Sequence, residues 1–153
     1  MRSTLAAVMF VAIGAAATSA AADTVFVLIN SANGARRIES ASLRQIYQGQ
    51  RTHWPNRSRI RIVIPPDDAR EMSYIASEVL RVGTSDRVAR FYLERVFQQR
   101  APDVPPQLSR EAALAYVARE VGAVALLIDS TPPRVPPGVR VIPLAEEPTP
   151  PGN

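Results

Sequence analysis

Two turns in this sequence carry groups able to hold an anion. Ser31, Asn33, Gly34 and Arg36 fall in the first, Asn30 to Arg37, directly after an apolar run; Arg70 closes the second, Pro65 to Arg70. Each turn stands between an expected strand and an expected helix. In an α/β sheet, ligands sit beyond the carboxyl ends of strands and against helix N-termini, where free backbone N–H groups favour negative charge. A hydroxyl, an amide, an open glycine backbone and a guanidinium would then donate to an oxyanion, the arginine bidentately. The same residues also make an ordinary solvated connection, because Gly and Asn are turn formers. The second turn is acidic: Asp67, Asp68 and Glu71 surround Arg70. They place negative charge where a phosphate needs donors, whereas carboxylates at a helix start complement its dipole.

Other chemistries find little support. His53 is the single histidine, beside Trp54-Pro55, with no nucleophile-rich motif around it. A turn histidine on the surface accounts for it, and no enzymatic activity is expected. There is no cysteine, no ligand spacing for zinc or calcium, and no phosphate-cradling or dinucleotide glycine motif, so no cofactor is expected. All 18 basic residues are arginine and the formal net charge is +4. Genomic base composition alone gives an all-arginine set. The arginines are scattered rather than clustered along the chain, so no nucleic-acid partner is expected.

The elements that must position these groups follow from periodicity. Thr24 to Ile29 is nearly continuous apolar and β-branched, the pattern of a strand buried on both faces. A short helix is expected from an N-cap at Ser40, or alternatively Ser42, with Leu43, Ile46 and Tyr47 on one face and Gly49 as a left-handed terminator. Arg59 to Ile64 alternates, so Ile60, Ile62 and Ile64 share one face of a strand. Asp67 or Asp68 should cap the next helix, with Glu71 at capping-box spacing from Asp68 and a stripe of Met72, Ile75, Ala76, Val79 and Leu80. Thr84 or Ser85 should cap a third helix through about Gln99. Its core stripe is Ala89, Tyr92, Leu93, Val96 and Phe97, widened by Val88 and Phe91, with Arg87, Arg90, Arg95 and Arg100 on a solvated face. Ser109 caps a fourth helix with stripe Leu114, Val117, Ala118 and Val121, closed by Gly122. Ala123 to Ile128 and Val139 to Ile142 read as strands. The order β-α-β-α-α-α-β-β predicts an α/β fold, a mixed sheet flanked by helices with at least some parallel pairing.

The run LRQIYQGQRTHW, through Leu43, Ile46, Tyr47, Gly49 and Trp54, resembles a stretch of the phosphate-type substrate-binding proteins of ABC transporters. The following strand, acidic turn and helix keep that family's order, and AYVAREVGAVALL is similar to its late glycine-containing strand segment. The resemblance spans roughly Thr24 to Leu144. It implies a fold like one lobe of a type II periplasmic binding protein, and a small oxyanion such as phosphate as ligand. It also implies that an acid of the second turn accepts a hydrogen bond from a protonated oxyanion. Two departures matter. The family's Ser-Gly-Thr phosphate-holding motif is missing where PPDDAREM stands, and its Gly-Tyr is replaced by Ala125-Leu126.

Residues 1–22 have the layout of a secretory signal peptide: Arg2, an apolar run from Leu5 to Ala17, and small residues at Ala20 and Ala22. An uncleaved anchor is the rival, although the run is short for a span. The expected organisation is a signal peptide over 1–22, a binding-protein-like domain over 23–144 and a disordered tail over 145–153, with no stable membrane span after cleavage. Such a chain is periplasmic or secreted. It is about half the length that the resemblance implies, so it supplies one wall of a cleft, which a second copy or an envelope protein partner would complete. Two functions remain open: a solute-binding or transport-accessory module, and a ligand-free interaction domain that kept the fold and lost the anion site.

Overall fold

A computed structural model describes residues 21–146. Residues 1–20 of the expected signal peptide and 147–153 of the expected tail lie outside the described residues.

Four strands and four helices follow in the expected order: β1 (Thr24–Asn30), α1 (Ser40–Tyr47), β2 (Arg61–Ile62), α2 (Arg70–Tyr74), α3 (Ser85–Phe97), α4 (Arg110–Arg119), β3 (Ala123–Asp129) and β4 (Val139–Pro143). The fold is α/β, a mixed sheet flanked by helices, with strand order β2-β3-β1-β4. β1 pairs antiparallel with β3 (Thr24 opposite Asp129, Ile29 opposite Val124) and with β4. Only β2 is parallel to its neighbour, with Arg61 opposite Ala123. The two apolar runs are the central strands, which is why they lack an alternating polar face. Alternate residues divide between two cores. Val27, Ile29, Val124 and Leu126 face α1, α2 and α3, whereas Leu28, Ala123, Ala125 and Leu127 pack on Ala113 and Val117 of α4. Ile60, Ile62 and Ile64 share the first core and Val63 the second, as the period of two requires.

Helix ends depart from expectation in instructive ways. Ser40 is not a cap. Glu39 precedes the helix without a side-chain cap, and the Ser40 N–H and hydroxyl both donate to the Ala145 carbonyl at 3.1 and 3.2 Å. Ala145, expected to start the tail, is thereby tied to the domain. It pairs with Glu39 and donates its N–H to Ile38. Gly49 does end α1, at φ +72°, with its N–H and that of Gln50 reaching back to Ile46 and Gln45, a Schellman closure. α3 ends the same way on Gln99 at φ +55°, a left-handed residue that no glycine announced. Neither Asp67 nor Asp68 caps α2; Ala69 stands there, and Glu71 accepts the Ile128 N–H at 2.9 Å instead of folding back on its own helix. α2 continues into a π-turn over Ile75–Val79 that keeps the whole expected stripe buried. Ser109 caps α4 as expected, its hydroxyl accepting from Ala112.

α3 shows the largest correction. It buries Val88 and Tyr92; Ala89, Leu93 and Phe97 face solvent, Phe97 at 83 % exposure. The Tyr92 hydroxyl donates to the Tyr47 carbonyl at 2.9 Å, and this bond fixes the helix rotation. In α4 the buried pair is Ala113 and Val117, and Val121 lies past the helix end, 42 % exposed.

Trp54 and Gly122 join the connection after α1 to the sheet. The indole Nε1 donates to the Gly122 carbonyl at 2.9 Å, and the Arg61 N–H shares that acceptor at 2.9 Å. Gly122 is required by close approach rather than by helix closure, because a Cβ there would lie 1.8 Å from the Arg59 carbonyl oxygen. Gly122→Ala should therefore cost more than the ~1–3 kcal/mol of ordinary overpacking, since backbone rather than a side chain must move. Trp54→Phe should cost about 1 kcal/mol for the lost hydrogen bond. Denaturant unfolding checks both, and an unchanged midpoint for Gly122→Ala contradicts the close approach.

Candidate functional site

The five residues picked out from the two turns do not converge. Arg70 sits beside Asp23 and Ile128, at the start of β1 and the end of β3, whereas the first turn follows the end of β1, so the two turns lie at opposite ends of the sheet. Seven residues of β1 separate them, about 20 Å at the usual strand rise. An oxyanion needs donors within about 3 Å and cannot touch both turns. The two turns are therefore separate candidates and do not form one shared site.

Each turn is also occupied internally. The Ser31 N–H donates to the Gly138 carbonyl at 2.9 Å. Asn33 is buried, its Oδ1 accepting from the Ala35 N–H while its Nδ2 has no partner among the described residues. Gly34, at φ +81°, closes a short 3₁₀ turn over Ser31–Asn33. Arg36 is exposed beside a shallow depression formed with Arg140 and the edge of β4. Arg140, which the sequence did not single out, donates to the carbonyls of Ala35 at 3.0 Å and Ser31 at 3.4 Å, so it satisfies the turn itself. At the far end, Arg70 donates to the Asp23 carboxylate at 2.6 Å and the Ile128 carbonyl at 3.0 Å. That pair is more than half exposed and contributes little to stability. Asp67 accepts from Gln107 Nε2 at 2.8 Å. His53 is exposed, its ring hydrogen-bonded to the Thr52 hydroxyl at 2.9 Å.

The arginines gather elsewhere. A cleft of about 350 Å³ opens along the free edge of β2, between the end of α1, the end of α3 and the proline-rich segment 101–106. Arg51, Arg59, Arg61, Arg95 and Arg100 line it against one carboxylate, Asp103. Tyr47 and Tyr92 form the floor, and Ile60, Ile62, Val104 and Tyr116 the walls. The local sequence builds this directly. The Schellman end of α1 turns the chain outward at Gly49, Arg51 follows in the loop, and the β2 alternation sends Arg59 and Arg61 away from Ile60 and Ile62. Arg95 is held in place: a Cβ on Gly49 would lie 2.6 Å from its Nη2, and its guanidinium sits 5.7 Å from the Phe91 ring centroid. Arg61 approaches Glu120 only at 3.8 Å. The side chains of Arg51, Arg59 and Arg100 make no ion pair or hydrogen bond among the described residues. Five guanidinium groups around one concavity repel one another, and an anion bound between them relieves that repulsion.

The floor is buried and hydrogen-bonded to the main chain. Burial raises the Tyr47 phenol well above its ordinary value; Tyr92 is raised likewise, first by burial and then by its proximity to Tyr47. Both hydroxyls donate to main-chain carbonyls, Tyr47 to Val63 at 3.4 Å and Tyr92 to Tyr47. Among the described residues no cluster of side chains has the makeup of a metal site, and no helix is long and apolar enough to cross a membrane.

No family model and no curated protein matches the sequence. Among solved structures, the chain is similar to an ABC-type phosphate transport receptor from Vibrio cholerae, with 17 % identity and a TM-score of 0.48. The alignment covers 78 % of this chain and 45 % of the receptor, so the chain spans less than half of that protein.

Tyr47 and Tyr92 should stay neutral in the folded protein. Their raised values mean that the associated stability is present below the unfolded phenol value near ~10 and is lost as pH rises above it. Absorbance titration should show these two ionising only together with unfolding. Reversible titration of all four tyrosines with unchanged far-UV dichroism contradicts a closed floor.

Proposed function

We propose that this chain is an exported, non-enzymatic anion-binding module of the solute-binding or transport-accessory kind, and that its site is the arginine-lined cleft. The single observation behind this reading is the convergence of five arginines, four of them without an ion pair among the described residues, on one concavity with one opposing carboxylate. Guanidinium groups present forked donors to carboxylate or phosphate oxygens, and they remain charged at any physiological pH. The resemblance through Leu43, Ile46, Tyr47, Gly49 and Trp54 agrees with a binding role, and Tyr47 and Gly49 of that run border the cleft. Export, a periplasmic or secreted location, and a second copy or envelope protein closing over the open side are parts of the same proposal.

A ligand-free interaction domain is the second reading. It is favoured by the outward apolar edge of α3, where Leu93 is 46 % and Phe97 83 % exposed.

Calorimetry and thermal shift with inorganic phosphate, sulfate, and aliphatic and aromatic carboxylates and phosphate monoesters separate the two. A charge-assisted hydrogen bond is worth about 1.5–3 kcal/mol, so losing one weakens binding roughly tenfold or more. Arg59→Ser with Arg61→Ser should weaken binding by at least that factor, whereas Arg36→Ser and Arg70→Ser should leave it unchanged. Silence across the whole panel at millimolar concentration supports the interaction domain. Loss of binding only in the Arg36 or Arg70 variants places the site in the turns and overturns the cleft.

A further inference from the structure

Resting on the cleft as the anion site, we infer that its ligand is an organic anion, one oxyanion head on an apolar or aromatic body, rather than a bare inorganic oxyanion. The cleft volume is about 350 Å³, whereas one water occupies about 30 Å³ of liquid. A lone tetrahedral oxyanion fills a small part of that space and leaves the rest wet. It touches its donors only if they close to hydrogen-bond distance on every side, and a cleft of this size with an open mouth leaves some of its oxygens to water. The volume is instead at the lower end of the range for pockets that take drug-sized molecules.

The lining has two characters. The arginines crowd around β2 and the end of α3, while Ile60, Ile62, Val104 and Tyr116 present apolar surface to the same space. Ile60, Ile62 and Tyr116 are only partly buried, so a ligand body can still remove area from water there, at about 25 cal/mol per Å². Tyr116 adds a hydroxyl with no hydrogen-bond partner among the described residues, the polar tip of an otherwise apolar ring. Arginine faces also stack on planar groups, as Arg95 already does over Phe91. A ring carrying one phosphate or carboxylate meets both characters at once.

Three probes titrated into the full chain by calorimetry separate the contributions: phenyl phosphate supplies head and body, inorganic phosphate the head, phenol the body. Phenyl phosphate should bind at least tenfold more tightly than inorganic phosphate, and phenol more weakly than phenyl phosphate by a similar factor. Val104→Ser makes one partly exposed apolar wall residue polar, and should narrow the gap between phenyl phosphate and inorganic phosphate. Inorganic phosphate binding as tightly as phenyl phosphate overturns the organic-anion inference but leaves the cleft as an anion site. Phenol binding as tightly as phenyl phosphate also overturns it, by removing the need for a charged head. No binding by any probe removes both the inference and the function it rests on.

Discussion

β3 runs antiparallel to β1 and parallel to β2, and this pair of directions decides which loops of the protein can meet. Had β2 and β1 run the same way, the turn after each strand would sit at one end of the sheet, and Asn33 and Arg70 would face a common ligand. Instead the turns are at opposite ends. Each is held by contacts within its own surroundings: Arg140 on the carbonyls of the first, Asp23 and Ile128 on Arg70 in the second. The segment Arg59 to Ile62, which leads into and includes β2, lies beside the ends of α1 and α3. One topological choice thus disperses the apparent anion site and assembles another.

Much of the architecture was legible in the chain because local patterns and packing agree. The central strands are readable from unbroken apolar runs, α4 from Ser109, and the end of α1 from Gly49. The helix rotation of α3 was not legible. The sets Val88, Phe91, Tyr92 and Ala89, Leu93, Phe97 are both apolar at helical spacing, and amphipathicity alone does not choose between them. The choice comes from a tertiary hydrogen bond, Tyr92 to the Tyr47 carbonyl, across 45 residues of sequence. Capping failed at Asp67 and Asp68 for a related reason: Asp67 bonds Gln107 and Glu71 bonds Ile128, so partners distant in sequence outcompete the helix end.

The candidate site was hidden by the same kind of distance. Arg59 and Arg61 read as the outer face of a strand, and Arg95 and Arg100 as the wet face of a helix. Arg61 does lie in β2 and Arg95 in α3, while Arg59 precedes the strand and Arg100 follows the helix. Only the fold sets these two wet faces opposite each other over a floor of neutral tyrosines. A faint signal existed in Gly49, which ends α1 and also makes room for Arg95. Gathering like charges around a concavity works against folding stability, and the packing beneath them is carried by Trp54, Tyr47 and Tyr92.

The proposed site reduces to a statement about which arginines meet an anion. Solution NMR of the arginine Nε–Hε resonances during titration with phenyl phosphate reads that directly. Saturable shifts at Arg51, Arg59, Arg61, Arg95 or Arg100, with Arg36 and Arg70 unmoved, are the result that the cleft predicts. Saturable shifts confined to Arg36, Arg140 or Arg70 would contradict it.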